Sequence, residues 1–497
     1  MSSSSQFRVN SAWMMVLAVA QRLIGAVSTA VIANALGPAQ LGAYAVATTT
    51  ANNAYGVSRL GVDMGVHVLA SAKDPVAEKA ELEELLGVAT TLFLGMAALG
   101  AMGCIVFSAP IALLLFRTDE LLPFVQIAAL LLFGQVVTQL AYVIFAGLHT
   151  FRAYARILMI VSPLVAIATA LTALVSGAFR VAFVAGAAQV VLGAALVMVA
   201  IRTAHGMGLN IRPRLGARPV TAILRVGLPF YLAGLIALPV DYLAQASLVR
   251  GHSVSALGDL RVVVAIIAVV SLLPGALNGP MISAFSRIHG GARDIDALFS
   301  QTLRGVWTVA LFGSLVVGLA WPLLVSLFGA DYDDARTIGF IALIYAVGVC
   351  LRNVWSNRLL SSERQGLLVL VNSADAVVFA ICALLLVPRF GLAGYLVAQA
   401  SGVVAPLLGA TAVALVGGHR AVVRSYLIGG ALSVLALALV TWFNLGSAAL
   451  ATRIAAAAIA GTALAATWSL TMIHAAERRA MVAAVSNGLA NVRGGRK

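Results

Sequence analysis

Polar residues break the hydrophobic pattern of this chain at regular intervals, leaving apolar stretches of the ~20 residues a helix needs to cross a bilayer. Fourteen such stretches lie between polar or Gly/Pro-marked breaks: 11–36, 41–72, 85–108, 121–148, 155–175, 181–201, 226–249, 257–285, 306–328, 338–357, 366–387, 392–416, 425–443 and 449–473. They predict an all-α polytopic membrane protein of about 14 transmembrane helices. The second stretch departs from the pattern. Asn52, Tyr55, Arg59, Asp63 and His67 recur at spacings of three and four, so a continuous helix places all five on one face. A charged side chain facing hydrocarbon costs at least ~2.5 kcal/mol, so this face is expected to line a bundle interior or a wet cavity. Arg59 and Asp63, one turn apart, serve either as a self-contained pair or as part of that wall.

Composition and charge sharpen this reading. Of 497 residues 61% are hydrophobic and 10% charged, with a mean hydropathy of +1.01, a balance that a multi-span membrane protein needs and a soluble fold does not. With the N-terminus inside, 22 of the 32 Lys and Arg fall on the cytoplasmic side, 6 outside and 4 within spans. This bias orients both termini to the cytoplasm and accounts for most of the net charge of +14 without nucleic acid. Asp331, Asp333 and Asp334 then lie outside. The start of the chain carries Gln21 and Arg22 inside its first apolar segment and shows no cleavage signal, so no removed signal peptide is expected.

The longest basic connection divides the chain into an N-lobe (1–201), a cytoplasmic linker (202–225), a C-lobe (226–418), two further helices (419–473) and a basic cytoplasmic tail (474–497). Gly42 and Gly258 correspond at an offset of 216, and Phe116, Arg152 and Phe183 correspond to Phe328, Arg364 and Tyr395 at 212. Two six-helix lobes in pseudo-twofold arrangement about the membrane normal, with two C-terminal helices added, are the expected architecture.

No enzyme motif is present. The seven histidines have no metal-ligand spacing, and neither a phosphate-binding GxxxxGK[ST] loop nor a GxSxG elbow occurs. Cys104, Cys350 and Cys382 lie far apart inside apolar runs and are read as core residues. The candidate chemistry is therefore intramembrane polarity. Arg22, Arg59, Arg352, Gln135 and Gln139 are the candidates for substrate binding, and Asp63, Asp241 and Asp375 for a coupling acid or a cavity ion pair. Arg22 and Arg352 have no acid within a helical turn, so each needs a partner from another helix or a ligand. Asp259 and Arg261 fall near the outer end of their span, where water reaches them, and are read as structural. For the amides, interhelical hydrogen bonds and substrate contacts are equally good readings.

Several stretches resemble the oligosaccharide-lipid flippases of bacterial polysaccharide export, Wzx-type O-antigen flippases among them, in the superfamily that also holds MATE antiporters and lipid II flippases. They are Leu36-Gly37-Pro38-Ala39-Gln40-Leu41-Gly42-Ala43-Tyr44, Arg59-Leu60-Gly61-Val62-Asp63, Leu228-Pro229 with Asp241, Leu327-Phe328-Gly329-Ala330-Asp331-Tyr332 and Val387-Pro388-Arg389-Phe390-Gly391-Leu392-Ala393-Gly394. The resemblance covers roughly residues 10 to 420. It departs at His67, where relatives often carry an arginine. It implies transfer of an undecaprenyl-pyrophosphate-linked oligosaccharide from the cytoplasmic to the periplasmic leaflet of an inner membrane by alternating access. It also implies no resident cofactor, with transport either uncoupled or coupled to a proton or sodium ion, and membrane lipids and polysaccharide polymerase machinery as partners. A MATE-type ion-coupled small-molecule antiporter is the alternative. That class wants net acid in its cavity, whereas the spans hold four acids against four arginines.

Overall fold

The structure, a computed structural model, describes residues 3–471 except 72, 74, 76, 236, 277–280, 282–291, 362–364, 417–419 and 446–449. The basic tail 474–497 and the end of the eighth expected span lie outside the described residues. Helices and their connections account for the described chain, and no strand occurs among them. They are α1 (Ser3–Ser58), α2 (Val62–Ser71), α3 (Lys79–Val106), α4 (Leu122–Gly147), α5 (Phe151–Val175), α6 (Ala178–Gly206), α7 (Ala217–Leu235), α8 (Ala237–Gly251) and α9 (Val254–Val270). Then follow α10 (Ala292–Leu319), α11 (Ala342–Ser361), α12 (Gln365–Val416), α13 (Arg420–Leu445) and α14 (Leu450–Thr471), with short helical turns between.

Ten of these helices are long and apolar enough to cross a membrane. Two of the ten, α1 and α12, bend where a glycine takes a left-handed φ, Gly37 at 71° and Gly391 at 56°. Pro38 follows the first bend and offers no N–H to the turn before it. The bends therefore fall at the breaks that the sequence places between its first and second, and its eleventh and twelfth, apolar stretches. Other boundaries move outward for a physical reason. Helix α3 begins at Lys79, six residues before its apolar run, with Glu81 in its first turn, where a carboxylate favours the positive end of the helix dipole. Helix α7 begins at Ala217, because its first turns are amphipathic: Arg218 and Arg225 are exposed while Ile223 is fully buried. Between α2 and α3, outside the spans, Lys73 bonds Glu81 and Glu78, and the bond to Glu81 above all raises its ammonium above the usual range.

The expected unbroken helix over 41–72 is corrected. Leu60 and Gly61 take φ of 47° and 75°, which ends α1 at Ser58 and restarts the chain as α2 at Val62. The reason is a close approach. A Cβ on Gly61 would lie 2.3 Å from the Gly227 carbonyl oxygen, one on Gly227 2.0 Å from that of Gly61, and one on Gly65 2.2 Å from that of Ile223. At this point α2 and α7 meet backbone to backbone, and only glycine fits.

A second seam joins the halves elsewhere. A Cβ on Gly42 would lie 1.9 Å from the Val254 oxygen, and one on Gly258 2.1 Å from the Pro38 oxygen. Gly42 and Gly258 are 216 residues apart, as are Pro38 and Val254, so the contact is reciprocal in the register of the offset. Ser253 caps α9 there, its Oγ accepting from the Ala256 N–H at 3.3 Å.

Gly227→Ala is expected to destabilise the protein by about 1–3 kcal/mol, because the new carbon must push two backbones apart. Gly430→Ala, with no described atom within 4 Å of the added carbon, should leave stability equal or raised. Thermal unfolding in detergent reads both. Equal unfolding temperatures for the two variants would contradict the seam.

Candidate functional site

A pocket of about 450 Å³ opens among α1, α4, α5, α6 and α9. Both arms of bent α1 line it, Gln21, Ser28 and Thr29 from the first and Tyr44, Thr48 and Asn52 from the second. The spacing 44, 48, 52 is one helix face. Opposite stand Gln135 and Thr138 of α4, Ser162 and Thr169 of α5, and Gln189 of α6. Gln135 Nε2 donates to Asn52 Oδ1 at 2.8 Å, and Gln21 Nε2 reaches Ser162 Oγ at 3.5 Å. Among the described lining residues the one charged group is Arg261, which enters from α9 in the other half of the chain. Hydroxyls and amides around a single guanidinium suit a ligand rich in hydroxyls that carries negative charge.

Arg261 corrects the sequence reading, which set it aside with Asp259 as structural and water-reached. Two residues apart on a helix, they point to opposite sides. Asp259 is 5% exposed and accepts the Ala335 N–H at 3.1 Å, so it is structural but dry. Arg261 faces the pocket. That divergence is the signal in the sequence that identifies it.

The eight predicted site residues do not share this pocket. Gln135 lines it; Gln139, one turn on, is half-buried. Arg22 turns away from it and donates to Ser271 Oγ at 3.0 Å, with its guanidinium 2.9 Å from where a Gly275 Cβ would sit. Arg59 and Asp63 form the expected pair at 3.3 Å, across the break between α1 and α2. Beyond them His67 stacks on Tyr142 with ring centroids 5.4 Å apart, so the stripe divides among several environments. Arg352 finds its partner on another helix, Asp375 of α12. Asp241 of α8 has neutral partners: Tyr395 donates to Oδ1 at 2.5 Å and Gln245 to Oδ2 at 2.8 Å, while Gln399 donates to Tyr395 at 3.1 Å. Of the three predicted acids, two are thus answered by arginines and Asp241 is not. Cys104 and Cys350 are buried and Cys382 is half-buried, all three free thiols.

Residues 7–289, more than half of the chain, match the polysaccharide biosynthesis protein family. The chain belongs to that family. No curated protein matches the sequence. Among solved structures the fold is similar to the lipid II flippase MurJ in an inward closed conformation, with a TM-score of 0.69 at 12% identity over 92% of this chain and 100% of that one. It is also similar to an inward-facing multidrug resistance MATE family transporter of the MOP superfamily (TM-score 0.60, 14% identity, 86% and 96% covered). A third is a MOP superfamily transporter from Pyrococcus furiosus, described as having a binding pocket of reverse polarity (TM-score 0.57, 14% identity, 83% and 94% covered). At these identities the likeness is one of fold, an all-helical MurJ- and MATE-like fold shared over most of each chain.

Proposed function

We propose that the protein moves a lipid-linked oligosaccharide from the cytoplasmic to the periplasmic leaflet of the inner membrane, with the pyrophosphate and sugars passing through the pocket that Arg261 enters. The single observation that carries this reading is the composition of that pocket, many neutral hydrogen-bonding groups and one guanidinium with no acid among the described lining residues. A cation exporter needs the opposite charge at its site. Planar N–H groups of arginine meet two phosphate oxygens together, and hydroxyl and amide groups pair with sugar hydroxyls. Membership of the polysaccharide biosynthesis family supports a saccharide cargo. The test is made in cells that lack the protein. Surface polysaccharide is expected to vanish and lipid-linked oligosaccharide to accumulate in the inner leaflet, both restored by the wild-type chain. Normal surface polysaccharide in those cells would overturn the reading.

The proposed topology has fourteen crossings. Helices α1 and α12 each hold a predominantly apolar stretch of 43 residues, ~65 Å of helix at ~1.5 Å per residue, enough to cross a ~30 Å hydrocarbon layer twice. The pair α7 and α8 supplies one crossing and α9 with its continuation another. Both termini then lie in the cytoplasm, and Asp333→Cys is expected to react with an impermeant maleimide from the periplasm only. Labelling from the cytoplasmic side alone would reverse the map.

A further inference from the structure

A second cavity of about 720 Å³ lies at the junction of the two halves, walled by α1, α3 and α8. Its character is the reverse of the first. Large apolar side chains around it stand open to the surroundings: Leu99 at 65% and Phe107 at 59% exposed, which in a membrane span means open to hydrocarbon, and Leu114 at 70% in the connection just beyond the span. Its inner wall is formed by Thr50, Asn53 and Val57 of α1 and by Tyr242 of α8. Thr50 Oγ1 and Tyr242 OH hydrogen-bond at 2.7 Å across the junction, and Tyr231 OH donates to the Val57 carbonyl at 2.8 Å. The Oδ1 of Asn53, on that wall, is buried with no hydrogen-bond partner among the described residues.

The two cavities share one helix. Positions 44, 48 and 52 of α1 face the polar pocket while 50, 53 and 57 face the apolar cavity, and a step of two residues turns ~200° around a helix. A polar and an apolar compartment therefore stand on opposite sides of α1, one helix diameter of ~10 Å apart. We infer that the apolar cavity holds the hydrocarbon tail of the lipid whose head enters the polar pocket, and that the Thr50–Tyr242 bond is the latch the tail must part to pass between α1 and α8. This rests on the proposed function. A polyprenyl tail is the committed occupant, because both halves of the chain wall the cavity, so it changes shape with any movement between them. A phospholipid that only solvates the protein has no such link to the cargo.

Glycines make the cavity addressable. A Cβ on Gly103 meets no described atom within 4 Å and Gly103 lines the cavity, so Gly103→Leu starts from open space on the cavity wall and adds bulk there. Gly95 on the same helix is equally open but lies off the cavity, and Gly95→Leu is the matched control.

The probe is a polyprenyl phosphate with a photoreactive diazirine in its tail, applied to the full chain in bilayer nanodiscs, with labelled peptides mapped by mass spectrometry. Label is expected within residues 50–60 and 96–115 of the wild type and of Gly95→Leu, displaced by unlabelled polyprenyl phosphate but not by excess phosphatidylglycerol. In Gly103→Leu it should fall about tenfold, as when a leucine displaces two methylenes of the tail. Undiminished label in Gly103→Leu, label spread evenly over the lipid-facing helices, or equal displacement by phosphatidylglycerol would each overturn the tail site. Leaflet transfer by the wild type is measured in parallel. Transfer without label at the cavity overturns the tail site and leaves the transport reading standing, whereas label without transfer supports the site and overturns transport.

Discussion

Arg261→Ala is expected to reduce transfer of the lipid-linked oligosaccharide by about 10- to 100-fold, the effect of losing charge-assisted hydrogen bonds of about 1.5–3 kcal/mol. The size follows from the pocket: Arg261 is its one charged group among the described lining residues, so nothing beside it replaces the lost cation. Arg261→Lys keeps the charge but loses the planar fork, and should retain an intermediate rate. Folding should be intact in both, because Arg261 has no ion-pair partner among the described residues. Abundance in the membrane and unfolding temperature check that point. Full activity of Arg261→Ala would remove the anion from the pocket and return the substrate contact to the arginines read from the sequence, Arg22 among them.

Asp375→Asn should have an even larger effect on the folded protein itself. It frees Arg352 inside the span, and removing one partner of a buried pair costs about 3–5 kcal/mol. The side chains retain 23% and 15% exposure, which places the loss toward the lower end. The double variant Arg352→Met with Asp375→Leu removes both charges and should restore accumulation, as replacing a buried pair by apolar residues of similar volume is often neutral. Membrane abundance of the three forms reads this. A fully stable Asp375→Asn protein would show that Arg352 is satisfied elsewhere, by water or by ligand.

The apolar periodicity was legible because membrane helices must satisfy their own backbone and show it in long runs. The bends at Gly37 and Gly391 fall at breaks the sequence displays, and the reciprocal contact of Gly42 and Gly258 follows the offset of 216. The break at Leu60 and Gly61 was not legible. Its cause is the approach of Gly227, a residue more than 160 positions away, which local spacing cannot report. The same holds for Arg352. Spacing shows that it needs a partner from another helix or a ligand, and only packing selects Asp375. Arg261 was legible in principle, since its two-residue separation from Asp259 forbids a shared face, yet proximity to the expected membrane surface pointed to a structural role. Intramembrane charges thus announce that partners exist, and the fold decides which are protein.

Liposomes that contain this protein alone, with a fluorescent lipid-linked oligosaccharide initially in one leaflet, test the central claim most directly. A membrane-impermeant lectin or reductant reads the leaflet. The account predicts transfer well above protein-free liposomes, and a rate for Arg261→Ala lower by about 10- to 100-fold. Transfer by the wild type no faster than in empty liposomes, with lipid-linked oligosaccharide of matching sugar and any required ion gradient supplied, would contradict it.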